Sequence, residues 1–204
     1  MDDRATTLQR LAGEIAGCPR CDLAKTRTHA VPGEGNAGAK VVFIGEGPGF
    51  HEDQQARPFV GAAGKFLDEL LAAVGWRRED VFIANVIKCR PPNNRDPLPE
   101  EIEACTPWLE QQLETIGAPV IVTLGRFAMG RYFRGQSIGK IHGQPKRIGD
   151  VTVVPMYHPA AALHQASLRR TIEEDFRKLP AIVEEALQSQ PASREPQATQ
   201  MQLL

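Results

Sequence analysis

Apolar positions along this chain alternate between short continuous runs and helical spacing. Residues 41–44 (VVFI) form an apolar run rich in β-branched side chains that stops at Gly45, which predicts a strand buried on both faces of a parallel sheet. Runs at 80–87, 120–124 and 152–156 predict three more strands. The chain therefore carries four predicted strands.

Helical spacing separates these runs. Apolar residues recur every three or four positions in 8–15, 62–74, 100–116 and 168–186, and a shorter helix is predicted at 126–133. Strands that alternate with helices indicate the α/β class, an α/β sandwich with a mainly parallel four-stranded sheet.

The length of the chain and the polar composition of its C-terminal segment predict one domain followed by a tail. A chain of 204 residues is long enough for one buried core, which we assign to residues 1–187, and the polar segment 188–204 is predicted to be a disordered tail. The N-terminus lacks the features of a secretion signal and no apolar run reaches membrane-spanning length, so we expect a cytoplasmic protein.

Polar residues stand where three predicted strands end. Glu46 follows the first strand, Asn85 lies near the end of the second, and His158 follows the fourth. Ligands of open α/β sheets bind at the carboxyl ends of the strands, so these side chains are predicted to meet at one edge. A structural histidine and a turn-capping asparagine are the alternatives.

The loop after the first strand is rich in glycine and carboxylates. Gly45, Gly47 and Gly49 would let a ligand approach the backbone, although a tight turn is the simpler explanation. The nearby carboxylates are Glu46, Glu52 and Asp53. Neither a dinucleotide fingerprint nor a phosphate-binding loop motif occurs in the chain, which disfavours a nucleotide hydrolase.

The four cysteines suggest a metal site. Cys18 and Cys21 form a CxxC pair, whereas Cys89 and Cys105 lie far downstream. Cytosolic thiols stay reduced, which disfavours disulfides. Zinc sites usually have two short-spaced pairs, while iron–sulfur cysteines tolerate irregular spacing. A zinc site and scattered buried cysteines remain alternatives.

Charge is unevenly distributed along the chain. The net charge is −1, but residues 119–180 carry ten Lys and Arg against four acids. This basic segment is compatible with a phosphate-backbone partner and equally with solvated helix faces.

Several motifs together resemble a known family. They are CPRC at Cys18, GEGPG at Gly45, RPFVG at Arg57, NVIKCRPPNNRDPLP at Asn85 and HPAA at His158. The stretch from about residue 18 to 179 resembles the family 4 uracil-DNA glycosylases, the iron–sulfur branch of their superfamily. The resemblance implies a three-layer α/β/α fold, a pocket for an extruded uracil, and a [4Fe-4S] cluster on Cys18, Cys21, Cys89 and Cys105.

The resemblance also implies roles for the site residues. Phe59 would stack on the flipped base, Asn85 would read its edge, and His158 would donate to the developing oxyanion. Leu163 would act as a wedge in the gap left by the base. The predicted catalytic residues are thus Glu46, Glu52, Asp53 and His158, and the predicted substrate-binding residues are Gly45, Gly47, Phe59, Asn85 and Leu163.

We accordingly expect a monomeric, nucleoid-associated repair enzyme that acts on uracil in single- or double-stranded DNA. Two alternatives are a non-catalytic iron–sulfur DNA-binding module and an X-type relative that becomes trapped on DNA through a histidine after the second strand. The corresponding loop, residues 88–99, has no histidine.

The chain departs from the family pattern at three places. Phe50 and His51 stand where relatives usually carry acids, and Leu163-His164-Gln165 replaces the usual leucine-arginine-asparagine. His142, where relatives often have arginine, is predicted to be an exposed loop residue or a phosphate contact. The range of accepted bases stays open.

Overall fold

A computed structural model describes residues 3–189, in which six strands form one sheet. The strands are β1 (Glu34–Gly35), β2 (Val41–Gly45), β3 (Phe82–Asn85), β4 (Val120–Leu124), β5 (Lys146–Ile148) and β6 (Val151–Met156). Their order is β1-β3-β2-β4-β6-β5. The central four are mutually parallel and the two edge strands are antiparallel to their neighbours.

The α-helices of this part of the chain connect and cover the strands. They are α1 (Asp3–Ala16), α2 (Phe50–Gln55), α3 (Ala62–Ala73), α4 (Pro99–Ile116), α5 (Arg126–Gly130), α6 (Ile138–Ile141), α7 (Ala160–His164), α8 (Ala166–Phe176) and α9 (Leu179–Gln188). No helix among residues 3–189 is long and apolar enough to cross a membrane.

Side chains of the central strands alternate between two apolar cores. Val42 and Ile44 face the core that contains residues of α1 and α4, whereas Val41 and Phe43 face the core of α3, α8 and α9. A strand buried on both faces has no polar face, which explains its continuous apolar run. The α/β class and the flanking of the sheet by helices on both faces are confirmed.

The predicted number of strands is wrong, because the two edge strands lack the apolar signal. β1 has two residues, and a side chain on Gly35 would collide with the backbone of Val81. β5 is Lys-Arg-Ile and pairs with β6 across a tight turn at Gly149, whose φ is +59°. The Gly149-Asp150 dipeptide is a hairpin signal that could have revealed β5.

Two predicted helix boundaries also need correction. The single helix expected over 168–186 is α8 and α9, with a break at Arg177 and Lys178, because Pro180 lacks the N–H that a continuous helix requires there. The helix expected to reach Phe133 ends at Gly130. Of the predicted tail, Gln188 ends α9, and 190–204 lie outside the described residues.

Candidate active site

A cavity of about 620 Å³ opens at the carboxyl ends of the central strands. Glu46 and Gly47 after β2, Asn85 at the end of β3 and His158 after β6 all line it. Parallel strands bring their carboxyl ends to one edge, so residues more than 100 positions apart share one cavity.

Asn85 presents an unsatisfied acceptor to this cavity. Its side chain is almost entirely buried, with 2% exposed, and Oδ1 has no hydrogen-bond partner within residues 3–189. The neighbouring strand leaves it room only because residue 45 is glycine: a Cβ there would lie 2.7 Å from Phe59 Cζ and overlap Asn85 Oδ1. A buried polar atom without a partner is costly, which points to a ligand as the missing partner.

Phe59 and His158 form one wall of the cavity. Their rings stack with centroids 5.4 Å apart and planes 24° apart. Phe59 has a φ of +53°, a left-handed conformation that is unusual for a bulky residue. Arg78 stabilises it, donating to the carbonyl oxygens of Phe59 at 3.1 Å and Pro58 at 2.6 Å.

The protonation state of His158 follows from its contacts. The backbone N–H of Ala160 donates to Nδ1 at 3.1 Å, so Nδ1 is an acceptor and the proton sits on Nε2. Burial lowers the pKa of His158 to about 4, against a smaller opposing effect of Glu52. At neutral pH the ring is an uncharged donor through Nε2.

Two carboxylates at the cavity differ in their partners. Burial raises the pKa of Glu46, with a further contribution from Asp96 that Arg126 opposes. The Glu52 carboxylate accepts from the backbone N–H groups of Gly49, Val60 and Gly61. Glu46 is therefore the more available of the two for a ligand, whereas Glu52 joins the two loops that form the cavity walls.

A second, much smaller cavity collects the cysteines. Cys18, Cys21, Cys89 and Cys105 all line it, and all four are free thiols. No group of three or more His, Cys, Asp or Glu side chains within residues 3–189 meets the geometry of a metal site. The structure therefore brings the four cysteines together around one space without itself defining a metal centre.

The groups around these thiols suit cysteine sulfurs that act as metal ligands. Arg27 Nη1 donates to Cys89 Sγ at 3.0 Å, Trp108 Nε1 to Cys18 Sγ at 3.2 Å, and the backbone N–H of Lys88 to Cys105 Sγ at 3.2 Å. Burial raises the pKa of the Cys105 thiol to about 11, so a cation is needed to hold it as a thiolate. An all-sulfur donor set with N–H groups aimed at it fits an iron–sulfur cluster and also zinc.

Lys88 lies between the two cavities. Its side chain is 1% exposed, and Nζ donates to the backbone oxygen of Asn85 at 2.9 Å and to Gln112 Oε1 at 2.7 Å. Burial lowers its pKa to about 8. One residue thus touches both the asparagine of the large cavity and a cysteine of the small one.

Comparison with known proteins identifies the family. The sequence model of the "Uracil DNA glycosylase superfamily" matches residues 32–181. Two similar curated proteins, each named a type-4 uracil-DNA glycosylase, come from Archaeoglobus fulgidus and Thermotoga maritima. The first is 50% identical over 85% of this chain and 92% of its own length, and the second is 45% identical over 90% and 98%. This chain belongs to the type-4 branch of the uracil-DNA glycosylase superfamily. A third type-4 relative, from Saccharolobus solfataricus, is 48% identical over 90% of the chain.

The predicted site residues of this type-4 family member do not all reach the cavity. Glu46, Gly47, Glu52, Phe59, Asn85 and His158 line it, and Gly45 lies directly behind Asn85 and Phe59. Asp53 is outside the lining and 2% exposed, and its Oδ1 accepts from the backbone N–H of Thr28 at 2.8 Å. Leu163 is outside the lining as well, beside the lining residue His164, with half of its surface exposed.

Sequence reasoning missed one wall of the type-4 site. Pro91, Asn94, Arg95 and Asp96 line the cavity, although the sequence shows their segment only as a proline-rich connection. Their position directly after the strand that carries Asn85 is the signal that could have found them.

His142 lies in the turn after α6, but the expectation that it is exposed is wrong, and the phosphate contact stays a prediction. Its Nδ1 lies 2.6 Å from Asp175 Oδ2, and its ring contacts Tyr157 with centroids 5.0 Å apart. His142 is therefore half-buried and anchors α6 to α8.

Proposed function

We propose that this protein removes uracil from DNA by hydrolysing the N-glycosidic bond and leaving an abasic site. The buried, partnerless Oδ1 of Asn85 beside the Phe59–His158 stack is the observation that carries the proposal. A nucleobase is complementary to this cavity, because its flat ring can stack on the aromatic wall and its polar edge atoms can hydrogen-bond to the asparagine. Enzymes that act on a base in DNA take it out of the stack into such a pocket.

Base choice follows from the acceptor of Asn85. Uracil carries an N3–H that can donate to Asn85 Oδ1, whereas cytosine presents an unprotonated N3 that would face the same oxygen. Placing two acceptors together leaves both without a donor, so cytosine is rejected. Phe59 supplies the stacking surface for the extruded ring.

His158 stabilises the leaving group in this proposal. As the glycosidic bond breaks, its electron pair moves onto uracil, and negative charge develops on the base oxygens. The neutral Nε2–H of His158 donates to one of those oxygens as a fixed hydrogen-bond donor. A donor that matches the developing charge contributes more in the transition state than in the ground state.

Glu46 serves the sugar side of the reaction. Its carboxylate can orient the water whose oxygen bonds to C1′, and it can also stabilise the oxocarbenium-like sugar. The proton that this water gives up balances the negative charge of the departing uracil. We assign Glu52 and Asp53 to positioning, because their oxygens hold backbone N–H groups. Leu163 would fill the gap left by the base.

The cysteine cavity would hold a [4Fe-4S] cluster on Cys18, Cys21, Cys89 and Cys105. Hydrolysis involves no oxidation or reduction, so the role of such a cluster would be structural, joining the segment after α1, the segment after β3 and α4. Broad visible absorption of the brown purified protein would support it. A colourless protein that releases zinc would favour the alternative metal.

The decisive experiment is incubation with an oligonucleotide that contains one uracil, followed by alkaline cleavage at abasic sites. Strand cleavage that depends on uracil is expected in single- and double-stranded DNA, and intact DNA at high protein concentration would overturn the proposal. Hypoxanthine and xanthine oligonucleotides run beside it measure substrate breadth.

The same reaction separates the remaining alternatives. A DNA-binding module would retain the oligonucleotide yet release no base, and an X-type relative would give a DNA-linked species on a denaturing gel. We expect the protein to turn over freely without becoming linked to DNA. We also expect it to be a monomer in the cytoplasm, associated with the nucleoid. Size-exclusion chromatography tests the oligomeric state.

A further inference from the structure

Phe50 is an exposed aromatic residue at the rim of the large cavity. It begins α2 and follows Gly49, which lines the cavity, and 51% of its surface is exposed. An exposed aromatic ring at the rim of a cavity offers a flat apolar surface that a ligand can cover. Leu163, exposed to a similar degree, follows the lining residue Ala160 by three positions at another part of the rim.

Arg90 covers part of the Phe50 ring. Its guanidinium carbon lies 5.1 Å from the ring centroid, within the range of a cation–π contact. Arg90 Nε donates to Oδ1 of Asn94, a lining residue, at 2.6 Å. Within residues 3–189 Arg90 has no carboxylate at ion-pair distance, so its charge is available to an anion. The His51 ring meets Phe50 edge-on, with centroids 5.5 Å apart.

We propose that Phe50 and Arg90 form a stacking platform for the unpaired base next to the extruded nucleotide in single-stranded DNA. The free part of the Phe50 ring receives the base, and the Arg90 guanidinium lies near the adjoining phosphate. Aromatic rings bind bases of any identity by stacking, and arginine adds charge complementarity to the backbone. In a duplex the neighbouring base stays paired and stacked, so the platform favours single strands. This inference rests on the proposed function, because it takes the cavity as the site of an extruded base.

The test uses a single-stranded oligonucleotide with a tetrahydrofuran abasic analogue and 2-aminopurine at the adjoining nucleotide. Wild-type protein is expected to quench 2-aminopurine on one side of the analogue. Phe50→Ala should abolish this quenching and weaken binding about 5- to 100-fold, whereas Phe50→Trp should retain both. Arg90→Gln should reduce the slope of log affinity against log salt by about 0.7.

Leu187→Ala is the matched control, because Leu187 is an exposed apolar residue on α9, away from the cavity lining. The inference is overturned if Phe50→Ala binds the probe and quenches it like Leu187→Ala. It is also overturned if Phe50→Ala weakens binding to duplex DNA as much as binding to single-stranded DNA. The probe cannot be cleaved, so the assay does not depend on activity. Phe50-dependent quenching in a protein that excises no uracil would refute the proposed function and leave the platform intact.

Discussion

His158 shows how a single backbone contact sets the chemistry of a side chain. The Ala160 N–H occupies Nδ1, so only Nε2 is left to donate toward the cavity. Replacing His158 with Phe should keep the ring stacked on Phe59 and remove the donor. We expect a loss of roughly 100- to 1000-fold in kcat with a smaller change in KM, measured on uracil-containing DNA. A kcat within about threefold of wild type would remove His158 from the proposed chemistry.

The lowered pKa of His158 predicts a pH dependence. Because its folded-state pKa is about 4, below its ordinary value near 6.5, the unfolded chain takes up a proton first as the pH falls. The contribution of His158 to stability is therefore complete above about pH 6.5 and is lost as the pH falls toward 4. Imidazole NMR should show the neutral Nε2–H form at pH 6 and a midpoint near 4. A midpoint near 6.5 would contradict the buried state.

Lys88 is expected to couple the stability of the fold to the activity of the large cavity, because its side chain holds the backbone of Asn85. Lys88→Met removes the donor to both the Asn85 carbonyl and Gln112, leaving two buried acceptors without a partner. We expect a loss of about 1–3 kcal/mol in the free energy of unfolding and slower uracil excision. Denaturant titration measures the first, with Lys65→Met on the exposed side of α3 as the matched control. Equal free energies of unfolding for the two variants would mean that the hydrogen bonds of Lys88 do not stabilise the fold.

At the residue scale the sequence predicted which side chains meet but not how they are partnered. The sequence predicts the meeting of Glu46, Asn85 and His158, because each is polar and stands at the end of a predicted strand. The lone Oδ1 of Asn85 depends on the distance to residues remote in sequence, whereas the occupied Nδ1 of His158 and the backbone partners of Glu52 depend on how the chain folds within ten residues. Only the folded chain sets those distances.

The elements that meet behind Asn85 leave no space for even a methyl group. Gly45→Ala at the end of β2 would place a Cβ against Asn85 and 2.7 Å from Phe59, so both must move. We expect a destabilisation of about 1–3 kcal/mol together with loss of uracil excision. Thermal unfolding and the excision assay measure both effects.

Gly13→Ala supplies the control for that substitution. A Cβ on Gly13 of α1 meets nothing within 4 Å, so helix propensity should raise stability by about 0.5–1 kcal/mol. If both variants behaved alike, the crowding behind Asn85 would have no energetic effect.

Strongly periodic elements were predictable and short polar ones were not. The four central strands and α1, α3 and α4 carry long apolar patterns that their burial explains. α2 and α7 have six and five residues, too few for a periodic signal, and both lie beside the cavity. The two short helices beside the site are thus elements that sequence periodicity does not describe.

The cysteines bring together the segment after α1, the segment after β3 and α4. If they hold a cluster, metal binding contributes directly to the folding free energy. Cys105→Ser should bleach the visible absorption and lower Tm by roughly 4 °C or more, because 1 kcal/mol corresponds to roughly 2–4 °C in a domain of this size. Visible spectroscopy and thermal unfolding on one sample test this. An unchanged spectrum and Tm would contradict the four-cysteine site.

The fold class, the layering and the family were all accessible from the sequence. Motifs such as GEGPG at Gly45 and HPAA at His158 lie in loops, where function constrains residue type more tightly than periodicity does. The edge strands were not accessible from apolar runs, because a strand that pairs on one side needs none, and only the Gly149-Asp150 turn signals β5.

Arg78 and Glu52 together hold the left-handed Phe59 and the two loops around it through hydrogen bonds within the protein. The order of this wall therefore comes from the fold itself. A preorganised wall of this kind loses little entropy when a base arrives, so more of the binding free energy remains to offset the unstacking of that base from DNA. The same stiffness limits adaptation, so the shape of the wall restricts which bases can be held.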